Sequence, residues 1–123
     1  MFTGIEHTAI ASADPERLGQ WYVDHLGFTV NYKSSSTLFV KAPDGSMIEI
    51  ITAEGPRVQQ TAKAPGLRHL AIGVDDFDAA CQRLAAQGVE FFEPPKEVKG
   101  NQLVFFNDAD GNIVHLIHRT NPI

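Results

Sequence analysis

The chain has 123 residues, 43% hydrophobic and 20% charged, with a formal net charge of −5. That length suffices for one domain with a substantial core, and no apolar run approaches the roughly 20 residues of a membrane span. A negative balance without a clustered basic stretch argues against nucleic acid, while a single cysteine, Cys81, leaves no internal disulfide framework.

The N-terminus lacks the basic-then-apolar order of a secretion signal, so a cytoplasmic protein is expected. Residues 3–11 read as a strand, with Ile5-Glu6-His7-Thr8-Ala9-Ile10 at its centre. Asp14 suits an N-cap and Pro15 the first helical position, where its missing N–H is no loss. Leu18, Trp21, Tyr22 and Leu26 recur at helical spacing, and Gly27 closes that helix in the left-handed region. Phe28–Tyr32 and Thr37–Lys41 read as strands, and the tight turn Pro43-Asp44-Gly45-Ser46 leads into a further strand, Met47–Thr52. The order is βαβββ.

Residues 53–66 read as a linker, after which the pattern recurs. In Leu67-Arg68-His69-Leu70-Ala71-Ile72-Gly73-Val74, the residues Leu70, Ile72 and Val74 line one strand face. His69 lies on the other, beside Leu67, Ala71 and Gly73. Asp75 and Asp76 are cap candidates for a helix with the stripe Phe77, Ala80, Cys81 and Leu84, ended by Gly88. Val89–Glu93 reads as the next strand, Pro94–Gly100 as a loop, and Gln102–Asn107 and Ile113–Arg119 as the closing strands. The expected fold class is therefore α+β, a single domain over 1–123 built from two tandem βαβββ modules, 3–52 and 67–119.

The repeat aligns residues as well as elements. His7 and Ala9 recur sixty-two positions later as His69 and Ala71, and the Asp-Gly turn before Glu49 recurs sixty-six positions later before His115. Glu49 shares a strand face with Met47 and Ile51; His115 shares one with Ile113 and Ile117. A carboxylate or imidazole set among aliphatics is costly to desolvate unless it is paired or binds a metal. Each module thus offers two such groups, and a pseudo-twofold relation of the modules could bring all four together.

Gly66-Leu67-Arg68-His69-Leu70-Ala71-Ile72-Gly73-Val74-Asp75-Asp76 and Asp110-Gly111-Asn112 make the chain resemble, from Ile5 to about Arg119, the vicinal oxygen chelate superfamily. That superfamily includes glyoxalase I, fosfomycin and bleomycin resistance proteins, methylmalonyl-CoA epimerase and extradiol dioxygenases. The resemblance implies a U-shaped, partly open sheet around one divalent metal, whose ligands sit on the first and last strands of each module. Those positions are His7, Glu49, His69 and His115 here. The first three match the usual pattern, whereas His115 stands where the family commonly has a glutamate that serves glyoxalase I as catalytic base. Small members often dimerise, so a homodimer is expected.

Three imidazoles and one carboxylate suit Fe, Ni, Zn, Co or Mn better than Mg or Ca. With no glutamate at 115, Glu49 is the carboxylate left to move a proton. The resemblance implies a lyase or isomerase of the glyoxalase kind acting on a small oxygen-bearing substrate through enediolate chemistry. Its alternatives are an extradiol-type dioxygenase and a metal-free ligand-sequestering protein. Arg68, Lys96, Lys99 and Asn101 are candidate contacts for an anionic group, with a solvated-surface role the plainer one. His25 and His118 are read as non-ligands, and Cys81 as core packing.

Overall fold

The computed structural model describes residues 1–59 and 61–123; Gln60, within the expected linker, lies outside the described residues. The chain forms two compact units, Met1–Arg57 and Val58–Ile123, divided inside the segment read as a linker. No helix among the described residues is long and apolar enough to cross a membrane.

The first unit contains β1 (His7–Ser12), α1 (Pro15–Leu26), β2 (Thr29–Lys33), β3 (Thr37–Lys41) and β4 (Met47–Thr52). Its sheet runs β1-β4-β3-β2, so the first and last strands are neighbours, and they pair in parallel. Asp14 caps α1 by accepting from the Arg17 N–H at 3.1 Å, and Gly27 ends it at φ 72°, donating to the carbonyls of Tyr22 and Val23. Both end signals read from the sequence are in place. The helix lays Leu18 and Tyr22 against the sheet face that carries Leu38, Val40, Ile48 and Ile50, all buried. Each large apolar side chain so buried contributes about 1.5–3 kcal/mol. The alternate residues, Thr37, Phe39, Met47 and Glu49, are only half-buried and belong to the other face.

β1 begins at His7 rather than at residue 3 because its partner begins at Met47, directly opposite, just after the Gly45 turn. In that turn the Asp44 carboxylate accepts from the Ser46 N–H at 2.9 Å and hydroxyl at 2.6 Å, which holds its pKa below the ordinary value.

The second unit repeats the topology with β5 (Leu70–Gly73), α2 (Phe77–Ala86), β6 (Lys96–Val98), β7 (Asn101–Asn107) and β8 (Ile113–Arg119) in the order β5-β8-β7-β6. Asp76 caps α2 through the Ala79 N–H, and Phe77, Cys81 and Leu84 are its buried residues. Val104, Phe106, Val114 and Leu116 are buried in its sheet, and so are Ile113 and His115 at the alternate positions of β8. Cys81 is a core residue, as its place in the helical stripe implies. Burial, followed by the Asp78 charge, pushes its thiol pKa up, away from the reactive thiolate.

One element differs from expectation. Val89–Glu93 is not a strand but makes a single bridge, Phe91 to Phe106. The pairing strand is Lys96–Val98, inside the segment read as a loop. Lys99 (φ 53°) and Gly100 (φ 81°) form a two-residue turn with both φ positive, which sets Val98 opposite Asn101. Pro94 and Pro95, which have no N–H to donate, separate the bridge from the strand.

Candidate metal centre

In each unit the alternate sheet face carries one pair of the candidate residues. In the first, His7 comes from β1 and Glu49 from β4. The parallel register sets Ala9 opposite Glu49 and His7 opposite Met47, so His7 and Glu49 are diagonal neighbours on one face. His7 Nε2 lies 3.5 Å from Glu49 Oε1. Two ligand atoms about 2.1 Å from one ion stand roughly 3.0–3.5 Å apart at octahedral or tetrahedral angles, so this spacing fits a shared divalent cation.

Hydrogen bonding sharpens the fit. His7 Nδ1 is 2.7 Å from Glu6 Oε1, a carboxylate oxygen that can only accept, so Nδ1 carries the hydrogen. Nε2 is then the ring nitrogen that faces the Glu49 oxygen, and a proton or a cation held between the two makes that contact attractive. A carboxylate behind a histidine also fixes its tautomer and raises its strength as a ligand. The other Glu49 oxygen, Oε2, accepts from the Thr37 hydroxyl at 2.8 Å. Phe39, opposite Glu49 in the β3/β4 ladder, meets the His7 ring edge-on at 5.3 Å.

The second unit builds the same arrangement from different residues. Ala71 stands opposite His115 in the parallel β5/β8 ladder, and His69 directly precedes β5. The His69 and His115 rings are 4.7 Å apart at 79°. Phe105, opposite His115, stacks on it at 4.5 Å and meets His69 edge-on at 5.6 Å. His115 Nδ1 lies 3.3 Å from the Leu116 carbonyl, which leaves Nε2 as the ring nitrogen available as a donor to a ligand. Burial first, then the fields of His69 and Arg119, hold the His115 pKa below its ordinary value, with the Leu116 carbonyl opposing them. That shift favours the neutral ring, the form in which an imidazole nitrogen can donate to a metal.

The structure therefore brings His7 together with Glu49 and His69 together with His115. Among the described residues no three His, Cys, Asp or Glu side chains within reach of one another form a metal-holding group; the donors come as two pairs, one per unit. Their chemistry fits a divalent ion, since every candidate donor atom is an imidazole nitrogen or carboxylate oxygen.

Four of the remaining polar candidates have structural partners. His118 lies on the opposite side of β8 from His115 and its Nδ1 is 2.8 Å from the Val74 carbonyl. His25 stacks on Trp21 at 4.7 Å and reaches the Trp21 carbonyl. Arg68 donates to the carbonyls of Thr61 and Gly66, and Asn101 accepts from the Thr120 N–H. Lys96 and Lys99 are exposed. Glu6, Thr37, Phe39 and Phe105 were not singled out by the sequence reading. Only the recurrence of phenylalanine at 39 and 105, sixty-six positions apart, could have signalled any of them.

Two mixed sheets, each with its first and last strands in chain order made neighbours and each backed by one helix, define the paired βαβββ architecture. Residues 4–116 match the model of the Glyoxalase/Bleomycin resistance protein/Dioxygenase superfamily, and the chain belongs to that superfamily. It is 34% identical over 119 residues to the Bacillus subtilis protein YwkD, covering 89% of this chain and 92% of that one. It is 30% identical over 124 residues to a probable lactoylglutathione lyase of Vibrio cholerae, covering 92% and 88%. Among solved structures, a glyoxalase family protein from Enterococcus faecalis superposes with a TM-score of 0.79 at 30% identity, covering 94% of this chain and 98% of the other.

Proposed function

We propose that the protein is a metal-dependent lyase or isomerase of the glyoxalase kind. His7, Glu49, His69 and His115 are the ligands of one divalent ion, and Glu49 is the group that moves the proton. The observation that carries this is the repeated pair: each unit presents one chelating residue from its first strand region and one from its last, on the face away from its core. The modules that complete one site belong either to one chain or to two copies in a homodimer.

Three neutral imidazoles and one carboxylate leave a divalent ion a single positive charge, and Fe, Ni, Zn, Co or Mn suits such a set. When bound, the ion supplies Lewis acidity, polarising a substrate carbonyl and stabilising charge on neighbouring oxygens. The rest falls to the chain. Glu49 would loosen from the ion when substrate arrives, take a proton from the carbon beside the carbonyl and return it to the carbonyl carbon. His115 cannot do so, because its Nδ1 hydrogen faces Leu116 and its remaining lone pair is committed as a ligand. Glu6 holds the His7 ring, and Phe39 packs against that ring and shields its flank from water.

The name of the Vibrio cholerae relative points to an adduct of a 2-oxoaldehyde with a thiol as the substrate class. The test is the metal content of purified protein, followed by two assays on the loaded chain. We expect one divalent ion per chain and formation of lactoylglutathione from methylglyoxal and glutathione. Oxygen uptake with a catechol, without that isomerisation, would favour the dioxygenase branch instead. Protein that takes up no divalent ion overturns the metal-dependent assignment. Sedimentation at micromolar concentration tests the dimer.

A further inference from the structure

Thr37 starts β3, next to a turn that fixes its backbone at both ends. The Ser34 N–H donates to the Thr37 carbonyl at 2.9 Å, and the Thr37 N–H donates to the Ser34 hydroxyl at 3.2 Å. Thr37 lies on the same face of β3 as Phe39, one pair further along the ladder from Glu49: it stands opposite Ile51, as Phe39 stands opposite Glu49. From there its hydroxyl reaches Glu49 Oε2 at 2.8 Å, while Glu49 Oε1 stays turned toward His7 Nε2.

The second unit supplies a natural contrast. There Leu103 stands opposite Ile117, the place that Thr37 has opposite Ile51, and leucine has no hydroxyl. The polar residue next to it on β8 is His115, which needs no hydrogen bond to a second oxygen. The hydroxyl therefore occurs in the unit whose chelating residue is a carboxylate.

Building on the metal-binding role given above, we propose that Thr37 is a positioning residue that occupies Glu49 Oε2, so that Glu49 meets the metal through Oε1 alone. A carboxylate free to rotate offers an ion either oxygen or both. With Oε2 held by a short charge-assisted hydrogen bond, only one remains. One-oxygen ligation keeps a coordination place open, and the Ser34 turn keeps the hydroxyl where the carboxylate needs it. The hydrogen bond does not depend on the ion, so the pair is ordered before binding.

The test uses Co2+ as the probe, with affinity read by calorimetry and coordination by visible absorption. Thr37→Val keeps the β-branched shape and removes the hydroxyl; Thr37→Ser keeps the hydroxyl. Thr37→Val should weaken Co2+ binding about two- to tenfold, the scale of one side chain that must be ordered on binding, and should change the absorption spectrum. Thr37→Ser should match the parent in both. In a Glu49→Ala background the Thr37→Val effect should vanish. Thr37→Ala replaces the valine variant should the latter not fold.

Parental affinity and spectrum in Thr37→Val, an equal loss in Thr37→Ser, or a loss that persists without Glu49 would each overturn the inference while leaving the metal site standing. A parent chain that takes up no Co2+ would overturn the metal role and this inference with it.

Discussion

Ala9 stands directly opposite Glu49 in the parallel ladder of β1 and β4. Its counterpart Ala71 stands opposite His115 in the ladder of β5 and β8. Both alanines are exposed, and both occupy the step between a histidine and the chelating residue diagonal to it. Ala9→Leu would place four-carbon bulk on the face that carries the proposed metal site. We expect metal affinity to fall tenfold or more while thermal stability shifts by only about 0.5 kcal/mol, the usual range for an exposed site. Calorimetric titration with Co2+ and a melting curve measure the two effects separately. Unchanged affinity in both Ala9→Leu and Ala71→Leu would remove this face as the metal site.

Substitutions at Glu49 and His115 separate the isomerase from the oxygenase. Glu49→Gln keeps an oxygen ligand of similar volume and removes the base. It should retain metal while turnover falls by about 10²–10⁴-fold, as for a lost general acid–base group. His115→Glu restores the carboxylate usual in the superfamily and should preserve or raise isomerase turnover. Full activity of Glu49→Gln would show that another group moves the proton. A large loss in His115→Glu would show that the third imidazole is itself required.

Gly19 tests the packing that supports the first pair. It is buried in α1, and a β-carbon there would collide with the Leu38 side chain and come within 3.6 Å of Ile50 Cδ1. The helix approaches β3 and β4 this closely because the position has no side chain. Gly19→Val should destabilise the protein by about 1–3 kcal/mol, the scale of overpacking in a well-filled core. Denaturant unfolding gives the value directly, and unchanged stability would mean that the helix can lift off the sheet without loss.

The pH dependence follows from His115, whose pKa burial holds below the ordinary histidine value of 6.5. The unfolded chain therefore takes up a proton at a pH where the folded chain does not. Stability from this group is fully present above 6.5, falls as the pH drops through that value, and levels off below the folded pKa. The melting temperature of metal-free protein should thus fall more between about pH 8 and pH 5 than that of His115→Gln, which has no imidazole to titrate. Parallel losses in the two proteins would place the acid sensitivity elsewhere.

What the sequence determined by itself is local and periodic. Two-residue alternation set Glu49 on one strand face with Met47 and Ile51 and His115 on one with Ile113 and Ile117, and the cap signals at Asp14, Pro15 and Gly27 bounded the first helix within its own segment. The duplication of His-x-Ala and of the Asp-Gly turn picked out four residues that the structure gathers as two pairs. All of these depend on neighbours a few positions away, or on one module copying the other. The tertiary structure alone decided what depends on register between distant strands. The Lys99-Gly100 turn moved the second strand of the second unit from Val89–Glu93 to Lys96–Val98, because hairpin geometry outweighed the apolar run. Thr37 acquired its role only because β3 and β4 pair with Phe39 opposite Glu49, which carries a hydroxyl twelve positions away to one carboxylate oxygen. Glu6 could hold His7 only once β1 began at His7, leaving the preceding residue outside the ladder with its side chain free to turn back to the ring. A side chain's own identity does not reveal its cross-strand partner, since partners are set by pairing geometry across the whole sheet.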